Sequence, residues 1–155
     1  MTIPDYKYRS LDVNSIDELR QIAKIHLSVP ALWINNYSFE EIEIDSTVND
    51  LLVKSKSNNL FCYIFENNNE IISYIWAETS NINPEILNII SLWTKDEYRN
   101  KGLGTFLKQL LEDWAKKQDL IKKIVTTVSA KNLNMIKLNE NLEYKISSYN
   151  MVKEL

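Results

Sequence analysis

The chain has two glycines in 155 residues, and they stand one residue apart, at Gly102 and Gly104. Glycine adopts positive φ without penalty and lets a ligand approach the backbone closely. A sequence this sparing with glycine points to a loop here whose geometry admits no substitute. Ahead of the pair, Ile86-Leu87-Asn88-Ile89-Ile90-Ser91-Leu92-Trp93 reads as a buried strand. After it, Leu103, Phe106, Leu107, Leu110, Leu111, Trp114 and Ala115 recur at the spacing of one apolar helical stripe. The local order is strand, glycine loop, helix.

The first-turn amides of a helix carry partial positive charge, and a glycine loop lets them converge on an anion. One reading of Arg99-Asn100-Lys101-Gly102-Leu103-Gly104-Thr105 is therefore a phosphate cradle; the other is a tight turn that needs glycine for its shape alone. The spelling is neither Gly-x-Gly-x-x-Gly nor a loop ending in Gly-Lys-Ser/Thr, so dinucleotides and ATP both fit poorly. Arg99-x-x-Gly102-x-Gly104 at a strand end, behind Asp96-Glu97 and Tyr98, resembles the acetyl-CoA motif of the GNAT family of N-acetyltransferases. In that family the loop amides bind the CoA pyrophosphate.

The length suits one domain, spanning residues 1–155, with a core that needs no staples. A charged-then-apolar leader and an apolar run near membrane-spanning length are both lacking, so secretion and membrane partners are not expected. Cys62 is the one cysteine, inside the apolar run Leu60–Phe65, and reads as a buried thiol in a reducing, cytoplasmic setting. One histidine and one cysteine make no metal constellation, so no metal is expected. Residues 1–94 hold 6 Lys/Arg against 13 Asp/Glu, or −7, and residues 95–155 hold 12 against 8, or +4, giving the net −3. A basic half around the glycine loop suits an anionic cofactor, and an acidic half suits a cationic acceptor. The uneven spread is equally what chance gives for solvated charge. Nucleic acid is not favoured, since no basic stripe dominates.

In chain order, Asp5 to Val13 reads as a strand, and Asn14 or Ser15 caps a helix over about 16–28. His26 falls on that helix's apolar face as a packing residue, and Pro30 ends the helix. From Ile25 to Val53 there is no Lys or Arg, while Glu40, Glu41, Glu43, Asp45 and Asp50 interleave with Trp33, Tyr37 and Phe39. This segment reads as an acceptor wall for an amine, or as a solvated loop leading into a helix near 46–56. Leu60–Glu66 and Ile71–Ala77 around three asparagines read as a hairpin, followed by a strand at Ile86–Thr94. After the long helix come a β-branched strand at Lys123–Val128, a short helix from Asn132 to Glu140, and strand material at Tyr144–Ile146 and Tyr149–Lys153.

This β-α-α-β-β-β-α-β-α-β(-β) order is similar to that of the GNAT family over nearly the whole chain. The resemblance implies an α/β fold with a mixed, mostly antiparallel central sheet of six to seven strands and about four helices. It also implies that the strands carrying Trp93 and Val125 splay, and that the pantetheine arm enters the V. There it would pair with the backbone of Leu92, Trp93 and Thr94. Acetyl-CoA is then the cofactor, held by Arg99, Asn100, Lys101, Gly102, Leu103, Gly104, Thr105 and Asn132. The reaction implied is direct attack of a primary amine, from a small molecule or a protein, on the thioester. The resemblance leaves room for a homodimer.

Two positions depart from the family. Its glutamate base on the strand before the loop corresponds to Asn88 here; Glu78 and Glu85 are the nearby carboxylates, and Glu78 is the candidate base. The family's late helix, Asn-x-x-Ala-x-x-Leu-Tyr-x-Lys-x-Gly-Phe, is here Asn132 to Tyr144, with Met135 for alanine, Glu143 for glycine and Asn139 for the tyrosine acid. Asn139 donates a hydrogen bond but no proton. Asn132 and Asn139, seven residues apart, are expected to share a face toward the cofactor. Lacking both usual groups, the chain also fits a CoA-binding sensor without turnover. A toxin acting on charged tRNA would want a basic acceptor face, which the acidic first part does not offer.

Overall fold

The computed structural model describes residues 5–155. One five-stranded sheet runs in the order β1 (Lys7–Ser10), β2 (Leu60–Asn67), β3 (Glu70–Thr79), β4 (Ile86–Thr94) and β5 (Lys123–Thr126). The first four strands are antiparallel, and β5 joins β4 in parallel. A parallel partner needs a crossover, which α3 (Leu103–Ala115) supplies. The β2–β3 hairpin turns at Asn68 (φ +50°) and Asn69 (φ +62°), the two left-handed positions that bring adjacent antiparallel strands together with the right twist.

Two apolar layers sandwich the sheet. On one face α1 (Ile16–Ser28) and α2 (Glu41–Lys56) cover Cys62, Ile64, Tyr74 and Trp76. On the other, the stripe of α3 buries Leu103, Phe106, Leu107, Leu111 and Ala115 against Phe61, Phe65, Ile75 and Leu87. Ser15 caps α1 by accepting from the amide of Glu18. A single 3-10 turn, Val29–Leu32, follows α1 with Pro30 inside it.

Four sequence expectations change, the first being β1, which spans Lys7–Ser10 rather than the expected Asp5 to Val13. α2 starts at Glu41, five residues before the expected start near 46, because the Glu43 carboxylate accepts from the Glu40 amide at 2.8 Å and closes the helix's first turn. β5 stops at Thr126, short of Val128, because β4 leaves it there. Strands six and seven are not formed: residues 144–155 hold no regular structure, and 145–155 are exposed throughout. The tail has strand-like residues such as Ile146, Tyr149 and Val152, but among the described residues no strand lies beside it to take its amides. Among the described residues, no helix is long and apolar enough to cross a membrane.

Candidate active site

Strands β4 and β5 pair from Ile86↔Lys123 to Ile89↔Thr126 and then part, although β4 continues to Thr94. The divergence begins at an irregularity: Trp76 pairs with Ser91 and Ala77 with Ile89, leaving Ile90 as an extra residue on β4. A bulge of this kind bends its strand and sharpens the twist. The result is the expected V, with the β5-facing edge of residues 90–94 unpaired among the described residues. Trp93 and Thr94 are fixed from the other side, where Ser73 donates to the Trp93 carbonyl and shares a 2.8 Å hydrogen bond with the Thr94 hydroxyl.

At the end of β4 a 3-10 turn (Asp96–Tyr98) leads into the glycine loop. Asn100 (φ +59°) and Gly102 (φ +80°) take left-handed conformations, and Gly102 is the N-cap of α3. Among the described residues no side chain caps this helix, and its first internal bond runs from the Phe106 amide to the Gly102 carbonyl. The amides of Leu103, Gly104 and Thr105 therefore point out of the helix end without an intrahelical partner. A Cβ on Gly104 would meet Leu138 at 3.4 Å and Leu92 at 3.9 Å, ordinary contacts. The protein's own packing thus does not by itself demand glycine there. Lys101 sits 5.0 Å over the Tyr98 ring, and Arg99 is tied to Asp96 at 2.8 Å and to the Thr94 carbonyl at 3.1 Å. Both cations belong to the loop that ends in the free amides, so the residues present fit a pyrophosphate.

The V opens into a cavity of about 260 Å³ between β4, the end of β5, the start of α4 (Leu133–Asn141) and the segment after α1. Leu92, Thr126, Ser129 and Asn132 line one side, and His26, Pro30, Trp33 and Tyr37 line the other. Among the described residues no carboxylate lines it. Three acidic side chains of α2 are engaged elsewhere: Arg20 holds Asp45 at 2.6 Å and also pairs with Glu41, and Glu43 accepts from the Glu40 amide. So Trp33 and Tyr37 of the expected wall line the cavity, whereas Phe39 packs against the core and none of the acids lines it. Glu78 lies off the cavity, 3.6 Å from Lys54 and in register with Asn88, and Glu85 is exposed.

His26, by its sequence a packing residue, is part of the lining. Helical spacing places it with Ile22 and Ala23, and periodicity carries no sign that Pro30 opens the wall beside it. Its ring meets Trp76 edge-on at 5.1 Å, and burial holds its imidazole below the usual histidine range. Cys62 is buried as expected, and burial pushes its thiol upward, away from the nucleophilic thiolate.

Asn132 caps α4 by accepting from the Met135 amide at 3.1 Å, and it lines the cavity. Asn139 does not line it. Asn139 is buried instead, where its side-chain oxygen accepts from Lys108 of α3. The Lys108 ammonium is itself buried and sits 3.8 Å over the Tyr144 ring. A buried cation needs an acceptor, and that need turns Asn139 away from the face expected to hold it beside Asn132. Burial brings Lys108 down to about 8, against a smaller upward pull from Glu112.

Residues 25–144 match the family model of the Acetyltransferase (GNAT) family. A GNAT family acetyltransferase from Staphylococcus aureus is 30% identical over 77% of this chain and 98% of its own, with a TM-score of 0.69. An acetyltransferase from Clostridium acetobutylicum, solved with acetyl-CoA, is 21% identical over 96% of this chain and 95% of its own, with a TM-score of 0.73. The PaiA N-acetyltransferase from Thermoplasma acidophilum, solved with coenzyme A, is 18% identical over 94% of this chain and 93% of its own, with a TM-score of 0.68. The last two likenesses are of fold. No curated protein matches the sequence.

Proposed function

The chain belongs to the GNAT acetyltransferase family, and from that premise we propose that it moves an acetyl group from acetyl-CoA to a primary amine by direct attack in a ternary complex. The observation that carries this reading is the cleft itself, a V between β4 and β5 with the uncapped amides of α3 at its mouth. Acetyl-CoA, the donor substrate, would lay its pyrophosphate on the amides of Leu103, Gly104 and Thr105, beside Arg99, Asn100 and Lys101, with Gly102 shaping the turn. The pantetheine arm would run along the unpaired edge of β4 at Leu92, Trp93 and Thr94, as an added strand does, with Asn132 across from it. Holding donor and amine together in this way is worth several kcal/mol of the barrier.

In the transfer step the amine lone pair attacks the acetyl carbonyl, whose oxygen takes up negative charge. A backbone amide near Trp93–Thr94 stabilises that charge. Collapse breaks the carbon–sulfur bond, and the electron pair leaves on sulfur. A thiol with a pKa of about 8.5 departs as thiolate near neutral pH without a strong acid, so asparagine at position 139 is compatible with turnover. The N-acetyltransferase from Thermoplasma acidophilum supports an amine acceptor through its shared fold.

The carboxylate-free lining favours one second reading, a CoA-binding regulatory module. Release of CoA thiol from acetyl-CoA, followed with and without primary amines, separates the two. Amine-dependent release is expected; binding of acetyl-CoA with no release over a broad panel would leave the module.

A further inference from the structure

We propose that His26 is the proton acceptor of the transfer reaction, taking the proton from the attacking amine inside the cavity. This rests on the acetyl-transfer reading above. Of the residues lining the cavity, His26 and Tyr37 are the ones with titratable side chains, and only an imidazole accepts a proton near neutral pH. Its position suits a proton acceptor, since α1 brings it to the cavity also lined by Ser91 and Leu92 of β4, the strand that would hold the thioester. Neither ring nitrogen holds a hydrogen bond to the protein among the described residues. Packing orients the ring instead, through the edge contact with Trp76 of β3.

Among the described residues no charged side chain lines the cavity around His26, where Tyr37 comes from the loop after α1 and Ser91 from β4, and the ring's aromatic neighbour is Trp76 of β3. With no anion to raise its affinity for a proton, and with burial lowering it, the imidazole is neutral at pH 7 and ready to accept. The amine nitrogen becomes acidic once it has bonded to the acetyl carbon. At that stage its proton moves to an imidazole nitrogen, the carbonyl re-forms, and the carbon–sulfur pair leaves on sulfur. The imidazolium then gives its proton through water to the thiolate, so the products are the amide, CoA thiol and neutral His26.

His26 is the one histidine of the chain, so its ring protons are assigned in an NMR spectrum without any variant. Addition of acetyl-CoA is expected to move those resonances, and their midpoint with pH in the complex is expected to match the acid limb of kcat. His26→Gln is expected to lower kcat by about 10²-fold or more, to remove that limb, and to keep the thermal stabilisation by acetyl-CoA. The probes are 2-phenylethylamine, tryptamine and spermidine with acetyl-CoA. Equal kcat and an unchanged acid limb in His26→Gln would overturn the assignment while leaving acetyl transfer standing. Should His26→Gln fail to fold, imidazole resonances indifferent to acetyl-CoA would overturn it equally. No turnover of any probe by the wild-type protein, with acetyl-CoA bound, would instead remove the transfer reading and this role with it.

Discussion

Asparagine does in this chain much of the work that glycine does in others. Asn36, Asn58, Asn68, Asn69 and Asn100 all have positive φ, and Gly102 is the one glycine that does. Replacing Gly102 by alanine is expected to cost about 1–2 kcal/mol in thermal unfolding, and replacement by asparagine distinctly less. Equal costs would mean that the φ of +80° is not what glycine serves there. Lys108 tests a different property. The unfolded chain holds its proton up to about 10.5 and the folded one only to about 8, so between those pH values the unfolded state binds more protons. Stability contributed by this group therefore rises from pH 8 to 10.5, by an amount on the order of a few kcal/mol. Urea unfolding of Lys108→Met should lack that rise relative to the wild type; parallel pH profiles would mean that the ammonium is not desolvated. Glu112 and Tyr144 share the pocket, and both stay in place in the variant.

At the scale of elements, what the sequence revealed depended on how local the cause was. The strand–loop–helix around Gly102, the asparagine hairpin and the cap at Ser15 each rest on neighbouring residues, and all three stand. The early start of α2 also has a local cause, but glutamate at Glu40 is a poor cap by type and only its pairing with Glu43 discloses it. The bulge at Ile90, the place of His26 in the wall and the turn of Asn139 toward Lys108 were not legible, because each depends on contacts between distant segments. Asn132 combines a local and a distant role and lets them be separated. Asn132→Asp keeps an equally good cap and so should preserve the midpoint of unfolding, while its carboxylate weakens acetyl-CoA binding at the cavity. Asn132→Ala should lose about 1 kcal/mol of stability as well. Unimpaired acetyl-CoA affinity in Asn132→Asp would place that side chain away from the donor.

Over the whole molecule, the sheet and its two apolar layers account for the stability, and the tail contributes little. Residues 146–155 are exposed, and among the described residues they make no hydrogen bond or ion pair. Their removal is expected to leave the thermal midpoint within about 2 °C of the full chain, since surface changes away from buried groups are worth about half a kcal/mol or less. A larger fall would show that the tail is buried in solution. The same global readout bears on the cleft. Acetyl-CoA at a hundred times its Kd adds about 2.7 kcal/mol of stability, or roughly 5–10 °C for a chain of this length. The most direct measurement is thermal unfolding with acetyl-CoA, free CoA and ATP in parallel. Both CoA species are expected to raise the midpoint by that amount and ATP to leave it unchanged. No rise with any of the three would contradict the cradle, and Gly102 would then shape a turn and nothing more.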